Sequence, residues 1–279
     1  MSKKMMISYN EILCSAASHQ LNENEVVFVG QGFPLYASML AKKLGKKLYL
    51  VMEAGILDFD PYRAPVHISD MSAMKGCMHC CSMIDVFSYY LFNGHIDVGF
   101  LGGAQIDKYG NLNTSYKGDP TNPRNRIAGS GGANEIGGYA RRTIIIIRHG
   151  KFVEEPYYIT TPGYLEGGKS REEAGMPGGP DVVVSLKGIF KFDKNTKELY
   201  LDSVHPGYEV DDIQKDIPWE LKVSPNLKRT PIPTMDELDI MREFIPNVSV
   251  GKTRWGIVQI QQMKDYMHIK HQQLKKLML

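Results

Sequence analysis

The chain has 279 residues, of which 43% are hydrophobic and 23% are charged, and its formal net charge is +2. This is the composition of an ordinary globular protein with one large or two small domains. The near-neutral charge argues against binding to nucleic acid or to an anionic membrane surface. No apolar run is long enough to cross a bilayer, and the amino terminus lacks the apolar region of a signal peptide. We therefore expect no nucleic-acid partner and no membrane association.

Strand and helix patterns alternate in the amino-terminal half of the chain. Short apolar runs rich in β-branched residues predict buried strands, and apolar residues at helical spacing predict the helices between them. The predicted helices cover 10–22, 35–44, 83–93 and 131–139, and the predicted strands cover 26–30, 48–52, 96–101 and 143–147. This order is typical of a parallel sheet with right-handed crossovers.

The carboxyl-terminal half shows shorter strand patterns. They lie at 157–160, 182–186, 188–192 and 199–204, and a helix capped by Thr234 is predicted over 235–245. The stretch 107–132 predicts a long loop without low-complexity bias, for which we favour a functional role. The predicted fold is α/β: an open, mostly parallel sheet flanked by helices, with a smaller β-rich C-terminal part. We expect one domain over 1–250 and a helical tail over 251–279.

Glu53 directly follows the apolar run 48–52 and precedes Ala54 and Gly55. The run predicts a buried parallel strand, and Gly55 permits a sharp turn after it. A carboxylate at the carboxyl end of such a strand lies where open α/β sheets bind ligands. A charge there is costly to bury without a partner or a task. Glu53 is therefore either a structural cap or ion-pair member, or a general base, metal ligand or nucleophile.

Glycine-rich turns follow or connect three of the predicted elements, at 30–32, 102–103 and 129–132. Each one can serve only to permit a tight turn. The turn at 129–132 opens a predicted helix, where bare amide groups can approach an anion or a carbonyl oxygen. The turn at 30–32 lacks the third glycine of a dinucleotide-binding fingerprint, because Pro34 and Leu35 stand at the corresponding positions. Nicotinamide binding is therefore disfavoured.

Three of the four cysteines cluster at Cys77, Cys80 and Cys81. Four cysteines are too few for a disulfide framework and fit a reducing cytoplasm, which is the predicted compartment. The cluster and His79 resemble a set of metal ligands, but no second Cys/His pair follows at the spacing of a zinc finger. We predict no metal site and interpret these thiols as small, buried and inert.

Several segments, in a fixed order across residues 8–250, resemble the B subunits of class I CoA-transferases, and among them the glutaconate CoA-transferase branch. The matching segments are 26–35, 51–55, 102–107, 109–113, 129–134, 160–163 and 188–192. The resemblance implies the fold shared by CoA-transferases and ribose-5-phosphate isomerase. It also implies that Glu53, followed by a small residue and Gly55, is the catalytic nucleophile. The middle residue in that family is often Ser or Asn; here it is Ala54, which leaves the carboxylate intact but removes a polar neighbour.

The same resemblance implies further site residues and a partner. The segment around Gly131 and Gly132 resembles the loop that binds or polarises the thioester. The residues predicted to form the oxyanion or CoA-binding site are Gly131, Gly132, Gly30, Gly32, Asn134 and Gln105. The implied partner is a CoA-transferase A subunit in a heterooligomer, and the implied substrates are an acyl-CoA and a carboxylic acid. No cofactor and no metal are expected, since the coenzyme A thioester is itself a substrate.

The implied reaction is ping-pong transfer of coenzyme A through a covalent glutamyl-CoA thioester on Glu53. One alternative is an acyl-CoA hydrolase that cleaves a C–C bond on the same scaffold; such relatives tend to lack the nucleophile, so Glu53 argues for transfer. A second alternative is a non-catalytic, effector-binding relative. The near-neutral charge and the lack of a helix-turn-helix pattern argue against a regulator that binds DNA.

Overall fold

The computed structural model describes residues 7–68 and 70–245. Its helices are α1 (Tyr9–Ser18), α2 (Phe33–Lys43), α3 (Met83–Asp85), α4 (Ala133–Tyr139), α5 (Ser170–Glu173), α6 (Val210–Gln214) and α7 (Met235–Glu243). Its strands are β1 (Val26–Val29), β2 (Tyr49–Met52), β3 (Ile56–Leu57), β4 (His79–Cys80), β5 (Val98–Gly102), β6 (Gln105–Ile106), β7 (Leu112–Asn113), β8 (Tyr116–Gly118), β9 (Pro123–Arg126), β10 (Arg142–Ile147), β11 (Lys151–Phe152), β12 (Pro180–Ser185), β13 (Gly188–Phe192), β14 (Leu199–Val204) and β15 (Lys222–Arg229).

A ten-stranded sheet runs through the described part of the chain in the order β15-β14-β13-β12-β10-β5-β1-β2-β3-β4. The five central strands, from β12 to β2, all run parallel. Their side chains are buried on both faces, as in β10, where 143–147 are all buried. Continuous apolar runs rather than alternating ones are what such strands require. The predicted α/β fold is confirmed, and its parallel core places the carboxyl ends of four of these strands, β2, β1, β5 and β10, side by side.

Helices cover both faces of the sheet and enclose two separate cores. On one face, α1, α2 and α7 bury Leu13, Leu40 and Leu238 against the sheet. On the other face, Ile136 of α4 packs among residues such as Leu101 and Ile145. Fully burying an aliphatic side chain of this kind stabilises the fold by about 1.5–3 kcal/mol. Two cores on opposite faces hold the strand ends, and therefore the side chains that follow them, in fixed positions.

The β-rich carboxyl-terminal part extends the main sheet instead of forming a sheet of its own. β13 pairs antiparallel with both β12 and β14, and β15 closes this edge. The sequence did not predict β15, because its pattern is mostly exposed and lacks an apolar face. The predicted tail over 251–279 lies outside the described residues. No helix among the residues that the structure describes is long and apolar enough to cross a membrane.

Three predicted elements differ from the structure. The predicted helix over 83–93 is a three-residue α3 followed by a π-helical segment, Val86–Leu91; its wider turn is closed by bonds such as Phe92 N–H to Phe87 O at 2.9 Å. The predicted strand over 157–160 is irregular, and neighbouring Thr161 forms only an isolated bridge to Leu112. The predicted loop over 107–132 contains β7, β8 and β9, because local hairpin pairing satisfies its backbone despite its polar composition.

Candidate active site

A cavity of about 410 Å³ lies at the carboxyl ends of the parallel strands. We call it the strand-end cavity. It is lined by Gly30, Gln31, Gly32, Phe33, Pro34, Tyr36, Glu53, Val66, Phe100, Leu101, Gly102, Ser130, Gly131, Gly132, Ala133, Ile136, Ile146, Arg148 and His149. Residues after four neighbouring strands therefore meet in one place, which is where open α/β sheets bind their ligands.

Glu53 lies in this cavity at the end of β2 and is partly buried. Burial raises the pKa of its carboxyl group, and the negative charge of Glu135 raises it further. Within residues 7–68 and 70–245, no hydrogen bond or ion pair holds the Glu53 carboxylate. The interpretation of Glu53 as a structural cap or ion-pair member therefore finds no support, and its carboxylate is available to a ligand.

The turn after Glu53 requires a glycine at position 55. Gly55 has φ +89°, in the region that favours glycine, and a Cβ atom there would lie 1.9 Å from the carbonyl oxygen of Cys81. The backbone of Gly55 is bonded to that same residue, since Cys81 N–H donates to Gly55 O at 2.8 Å. The turn after Glu53 is therefore held in place by the segment around Cys81, which precedes the π-helical segment. Ala54 is exposed and contributes no polar group.

Ser130, Gly131 and Gly132 line the same cavity as Glu53, and their three backbone amide groups donate no hydrogen bond among the described residues. Ala133 N–H donates to Ser130 O at 2.9 Å, whereas the N–H groups of Gly131 and Gly132 donate to nothing in the part of the chain that the structure describes. A Cβ atom on Gly132 would lie 2.4 Å from the Phe87 ring. That ring packs against Phe28 with centroids 5.5 Å apart. A side chain at position 132 would therefore collide with the Phe87 ring of the π-helical segment, so this close approach requires a glycine.

Sequence reasoning missed several polar side chains at this site. Glu135 lies in the first turn of α4, and its Oε2 atom is buried with no hydrogen-bond partner among the described residues. Gln31 lines the cavity, and its Nε2 atom is also buried with no hydrogen-bond partner among the described residues. Glu135 could not be placed near Glu53 from spacing, since 82 positions separate them (135 − 53). Gln31 lies between Gly30 and Gly32, and the sequence pattern of that segment suggested a binding role only for the two glycines.

Arg148 is a cationic residue of the cavity, and it directly follows β10. Its Nε donates to Asn10 Oδ1 at 3.0 Å, and its guanidinium lies 5.0 Å from the centroid of the Phe33 ring. Burial lowers the pKa of Arg148 from its usual value. The signal was available in the sequence: Arg148 follows an apolar strand in the same way as Glu53 does.

The structure brings together only some of the predicted binding residues. Gly30, Gly32, Gly131 and Gly132 line the cavity with Glu53, and Gly32 has φ +77°, which its position in the turn requires. Gln105 and Asn134 do not line it. Gln105 is buried on β6, where its Oε1 accepts from Asn113 Nδ2 at 2.6 Å; Asn134 lies on α4 and is exposed. A role for these two residues in substrate binding stays a prediction.

The cysteine cluster differs from the expectation of buried thiols. Cys80 is exposed, Cys77 and Cys81 are partly exposed, and Cys14 alone of the four is buried. The Sγ atoms of Cys77 and Cys80 are 3.5 Å apart. The exposure arises because β4, which contains Cys80, is the outer strand of its sheet edge. Across 7–68 and 70–245, no group of three or more His, Cys, Asp or Glu is arranged to hold a metal ion.

Comparison with known proteins identifies the family. A model of the coenzyme A transferase family matches residues 10–216. The chain belongs to the coenzyme A transferase family. The B subunit of 3-oxoadipate CoA-transferase from Pseudomonas knackmussii is 35% identical over 253 residues, which cover 89% of this chain and 97% of that protein. The B subunit of glutaconate CoA-transferase from Acidaminococcus fermentans is 35% identical over 223 residues, covering 77% of this chain and 84% of that protein.

A solved structure gives the same answer for the fold. The crystal structure of glutaconate coenzyme A-transferase from Acidaminococcus fermentans matches with a TM-score of 0.81 and 30% sequence identity, covering 89% of this chain and 98% of that chain. The resemblance described from the sequence motifs is therefore confirmed, and so is the enzyme class, a CoA-transferase.

Proposed function

We propose that this chain is the B subunit of a heteromeric CoA-transferase in which Glu53 becomes covalently attached to coenzyme A. The observation that carries the proposal is the Glu53 carboxylate, which lies unpartnered among the described residues in the strand-end cavity, together with the unused amides of the glycine loop. A nucleophile must be free to attack, and donors must stand where negative charge develops. Glu53 is our candidate for the nucleophile, and the amides of Gly131 and Gly132, which line the same cavity, are our candidates for the donors.

The reaction begins when a Glu53 oxygen attacks the carbonyl carbon of an acyl-CoA. The C–S bond breaks, coenzyme A leaves as its thiolate, and a mixed anhydride joins the acyl group to Glu53. The thiolate then attacks the Glu53 carbonyl carbon, which releases the donor acid and leaves a glutamyl-CoA thioester. An acceptor carboxylate runs the same two steps in reverse and departs as a new acyl-CoA. Each pair of steps exchanges one thioester for another of similar energy through a higher-energy anhydride, and no redox step occurs.

The surroundings of Glu53 suit this role. Burial and the charge of Glu135 raise the pKa of the Glu53 carboxyl group, and a more basic, less solvated carboxylate is a better nucleophile. Each tetrahedral intermediate carries an oxyanion, for which we assign the N–H groups of Gly131 and Gly132 as donors. Losing one such donor in another enzyme costs about 2.7–4 kcal/mol of transition-state stabilisation.

The proposed partner is an A subunit that completes the site. Both named relatives are B subunits of CoA-transferases. Large apolar side chains are exposed beside the turn that holds Glu53, among them Met78 at 70%, Ile84 at 70% and Tyr89 at 63%. Exposed apolar side chains that lie together are typical of a surface that another protein covers, and we assign this one to the A subunit. We place the complex in the cytoplasm on its cysteine content alone.

The test is to trap the covalent intermediate in the complex purified with its A subunit. Incubation with an acyl-CoA followed by borohydride or hydroxylamine should inactivate the enzyme and modify Glu53, as read by mass spectrometry of the peptide. Glu53→Gln should neither react nor turn over. Glu135→Gln is the matched control, because it removes a neighbouring carboxylate that is not the nucleophile, and it should still be labelled at Glu53. Full activity in Glu53→Gln would contradict the proposal.

The two alternatives receive less support. Both named relatives are CoA-transferases, which favours transfer over hydrolysis and over an effector-binding role. Hydrolysis and transfer can be separated in the same assay. A hydrolase that cleaves a C–C bond would shorten the acyl chain without any acceptor acid and leave the thioester bond intact, whereas transfer requires the acceptor and produces its CoA thioester.

A further inference from the structure

Two cysteines at the outer edge of the main sheet have their sulfur atoms in contact. The Sγ atoms of Cys77 and Cys80 lie 3.5 Å apart, within the range of a thiol hydrogen bond. Cys80 is exposed on β4, the outermost strand on this side of the sheet, and Cys77 is partly exposed. A disulfide requires a sulfur–sulfur separation of about 2.0 Å. The two thiols are therefore roughly 1.5 Å short of bonding distance, and small reagents in solvent can reach them.

Neither the fold nor the proposed reaction uses this pair. Cys77 and Cys80 do not line the strand-end cavity, and no metal-binding group of three or more ligands exists among the described residues. Cys14 shows what a structural thiol looks like in this chain, since it is fully buried and burial raises the pKa of its thiol. It packs as a small apolar side chain. A close and accessible pair is instead typical of thiols that sense oxidants in a reducing compartment.

The segment that contains Cys80 is bonded to the turn that follows Glu53. β4 pairs with β3 at Ile56 and Cys80, and Cys81 N–H donates to Gly55 O at 2.8 Å. The Cys81 carbonyl oxygen stands so close to Gly55 that a Cβ atom there would lie 1.9 Å from it. The two backbones are packed without free space. A shift of β4 is therefore transmitted to position 55, two residues after Glu53.

Of the two cysteines, Cys77 is held more firmly. Its side chain packs against the core on the face of α1, α2 and α7, and its N–H donates to Met74 O at 3.3 Å. Cys80 is exposed, and β4 is a two-residue strand with a neighbour on one side only. Closing the gap between the sulfur atoms should therefore draw β4 toward Cys77. A misplacement of about 1 Å at a reacting group can lower its rate by about 100-fold.

We propose that Cys77 and Cys80 are a site of reversible oxidation, at which a peroxide joins the two sulfur atoms in a disulfide and the shifted turn moves Glu53 out of its reactive position. The disulfide forms whatever the role of Glu53 is, whereas the effect on Glu53 rests on the proposed function. Oxidation thus slows coenzyme A transfer, and reduction of the disulfide by a dithiol restores it.

The oxidation takes two steps. The Cys80 thiolate attacks one oxygen of hydrogen peroxide, the O–O bond breaks, hydroxide leaves, and Cys80 becomes a sulfenic acid. The Cys77 sulfur then attacks the Cys80 sulfur, the S–O bond breaks, and water leaves with the proton of the Cys77 thiol. The two sulfur atoms lose two electrons in total, and the peroxide gains them. Cys80 attacks first because it is the more exposed, and because its hydrogen bond with Cys77 raises the pKa of the Cys77 thiol.

The first test asks whether the disulfide forms. The purified chain is treated with hydrogen peroxide before the A subunit is added, because Met78 between the two cysteines belongs to the surface assigned to that subunit. After alkylation and trypsin digestion, Cys77, Cys80 and Cys81 all lie in the peptide 76–108. Its mass should fall by two hydrogen atoms, with Cys77 and Cys80 protected from alkylation.

Cysteine variants identify which thiols are joined. Cys81→Ser should form the same disulfide, since its sulfur atom takes no part. Cys77→Ser and Cys80→Ser should form none. Alkylation of all three cysteines in the peroxide-treated wild type would overturn the inference, and so would a disulfide that includes Cys81.

The second test measures the effect on Glu53. Oxidised and reduced chains are each assembled with the A subunit, and mass spectrometry of the peptide 48–63 follows the labelling of Glu53 by an acyl-CoA. The oxidised wild type should be labelled about 10-fold more slowly or worse, and dithiothreitol should restore the rate. Cys80→Ser is the matched control, and peroxide should leave its labelling rate unchanged. Equal rates for the oxidised and reduced wild type would overturn the inference, as would an equal loss in Cys80→Ser.

The two proposals fail in different ways. If the reduced wild type is never labelled at Glu53, the proposed function fails and the effect on Glu53 fails with it, while the peptide 76–108 still decides on the disulfide. If the reduced wild type is labelled but oxidation neither joins the sulfur atoms nor slows labelling, only this inference fails. Gel filtration checks assembly: an oxidised chain that cannot bind the A subunit would place the effect on the surface around Met78 and overturn the inference.

Discussion

The two ends of the strand-end cavity carry opposite charges and are built in opposite ways. At one end, Glu53 and Glu135 lie close enough for the charge of Glu135 to raise the pKa of the Glu53 carboxyl group. At the other end, Arg148 stands against Phe33, and no carboxylate of the described residues pairs with it. An ion pair between the two ends would have stabilised the fold locally. Instead the two charges are separated by β5 and β1, the two strands that lie between β10 and β2.

The separation of Glu53 from Arg148 leaves the charged group of each without an ion-pair partner among the described residues. A paired Glu53 would have its pKa lowered and would be a poorer nucleophile. An Arg148 guanidinium that formed an ion pair with a carboxylate of the chain could not donate the same N–H groups to a ligand. Under the proposed mechanism, the separation of the charges keeps the Glu53 carboxylate available for attack and leaves the Arg148 guanidinium without a carboxylate partner among the described residues. The following predictions remove one feature at a time from this arrangement.

Glu53→Gln should have the largest effect on activity. Removing the nucleophile of a covalent mechanism lowers turnover by about 10⁵-fold or more in well-studied cases. Steady-state transfer assays on the assembled complex would measure it. Glu135→Gln, at the same end of the cavity, should retain most of its activity at neutral pH. Equal losses in the two variants would mean that the anionic end acts as a pair and not through Glu53 alone.

Gly132→Ala should lower turnover by about 100-fold. Its Cβ would lie 2.4 Å from the Phe87 ring, which Phe28 holds in place, so the glycine loop must shift and its amide donors with it. Gly138→Ala is the matched control, within the helix α4 that Gly132 caps, since a Cβ there meets nothing within 4 Å. The double variant Gly132→Ala/Phe87→Ala should recover part of the lost activity. If Gly132→Ala is as active as the control, these amides do not act as oxyanion donors.

Glu135→Gln should change the pH dependence of activity. The charge of Glu135 raises the pKa of Glu53, so its removal should lower that pKa. Glu53 must be ionised to attack, and the acidic limb of kcat/KM against pH should therefore move to lower pH, with the plateau unchanged. A profile measured from acidic to neutral pH would check this. A limb that stays in place would show that Glu53 and Glu135 do not interact in the working complex.

Glu53→Gln should also affect stability, and this is the smallest effect that we predict. A raised pKa means that wild-type stability decreases as pH rises from the unfolded-state pKa of about 4.3 through the folded-state value. Glutamine has no such dependence. The melting temperature of the variant should exceed that of the wild type at neutral pH, and the difference should vanish in acid. A constant difference at all pH values would contradict the burial of an ionised Glu53.

The sequence was sufficient to predict one end of the cavity but not the other. Glu53 stood out because an apolar run ended on a carboxylate, and the parallel core around it followed from strand and helix periodicity. Glu135 comes near Glu53 only through the packing of α4 on the sheet, which no local pattern encodes. The π-helical segment has the apolar spacing of an ordinary helix, and its wide turn is set by tertiary contacts of residues such as Phe87.

Arg148 was missed for a different reason. It satisfies the same rule that singled out Glu53, a charged residue directly after a buried strand, yet the sequence also offers basic residues in the polar 107–132 segment. The basic residues at 117, 124 and 126 lie on the hairpin of β8 and β9, in which β8 is partly buried and β9 is mostly exposed. Strand order decides which strand ends share a cavity, and strand order comes from long-range pairing. The sequence can nominate such residues, and only the fold can bring them together.

The most direct test of the covalent role of Glu53 is to follow carboxylate oxygen through complete turnovers. An acceptor acid labelled with heavy oxygen in its carboxylate forms an anhydride with Glu53, and one labelled oxygen remains on Glu53 when the new acyl-CoA departs. Mass spectrometry of the digested complex should find the label in the peptide that contains Glu53 and not in the one that contains Glu135. Many turnovers with no label on Glu53 would contradict the account.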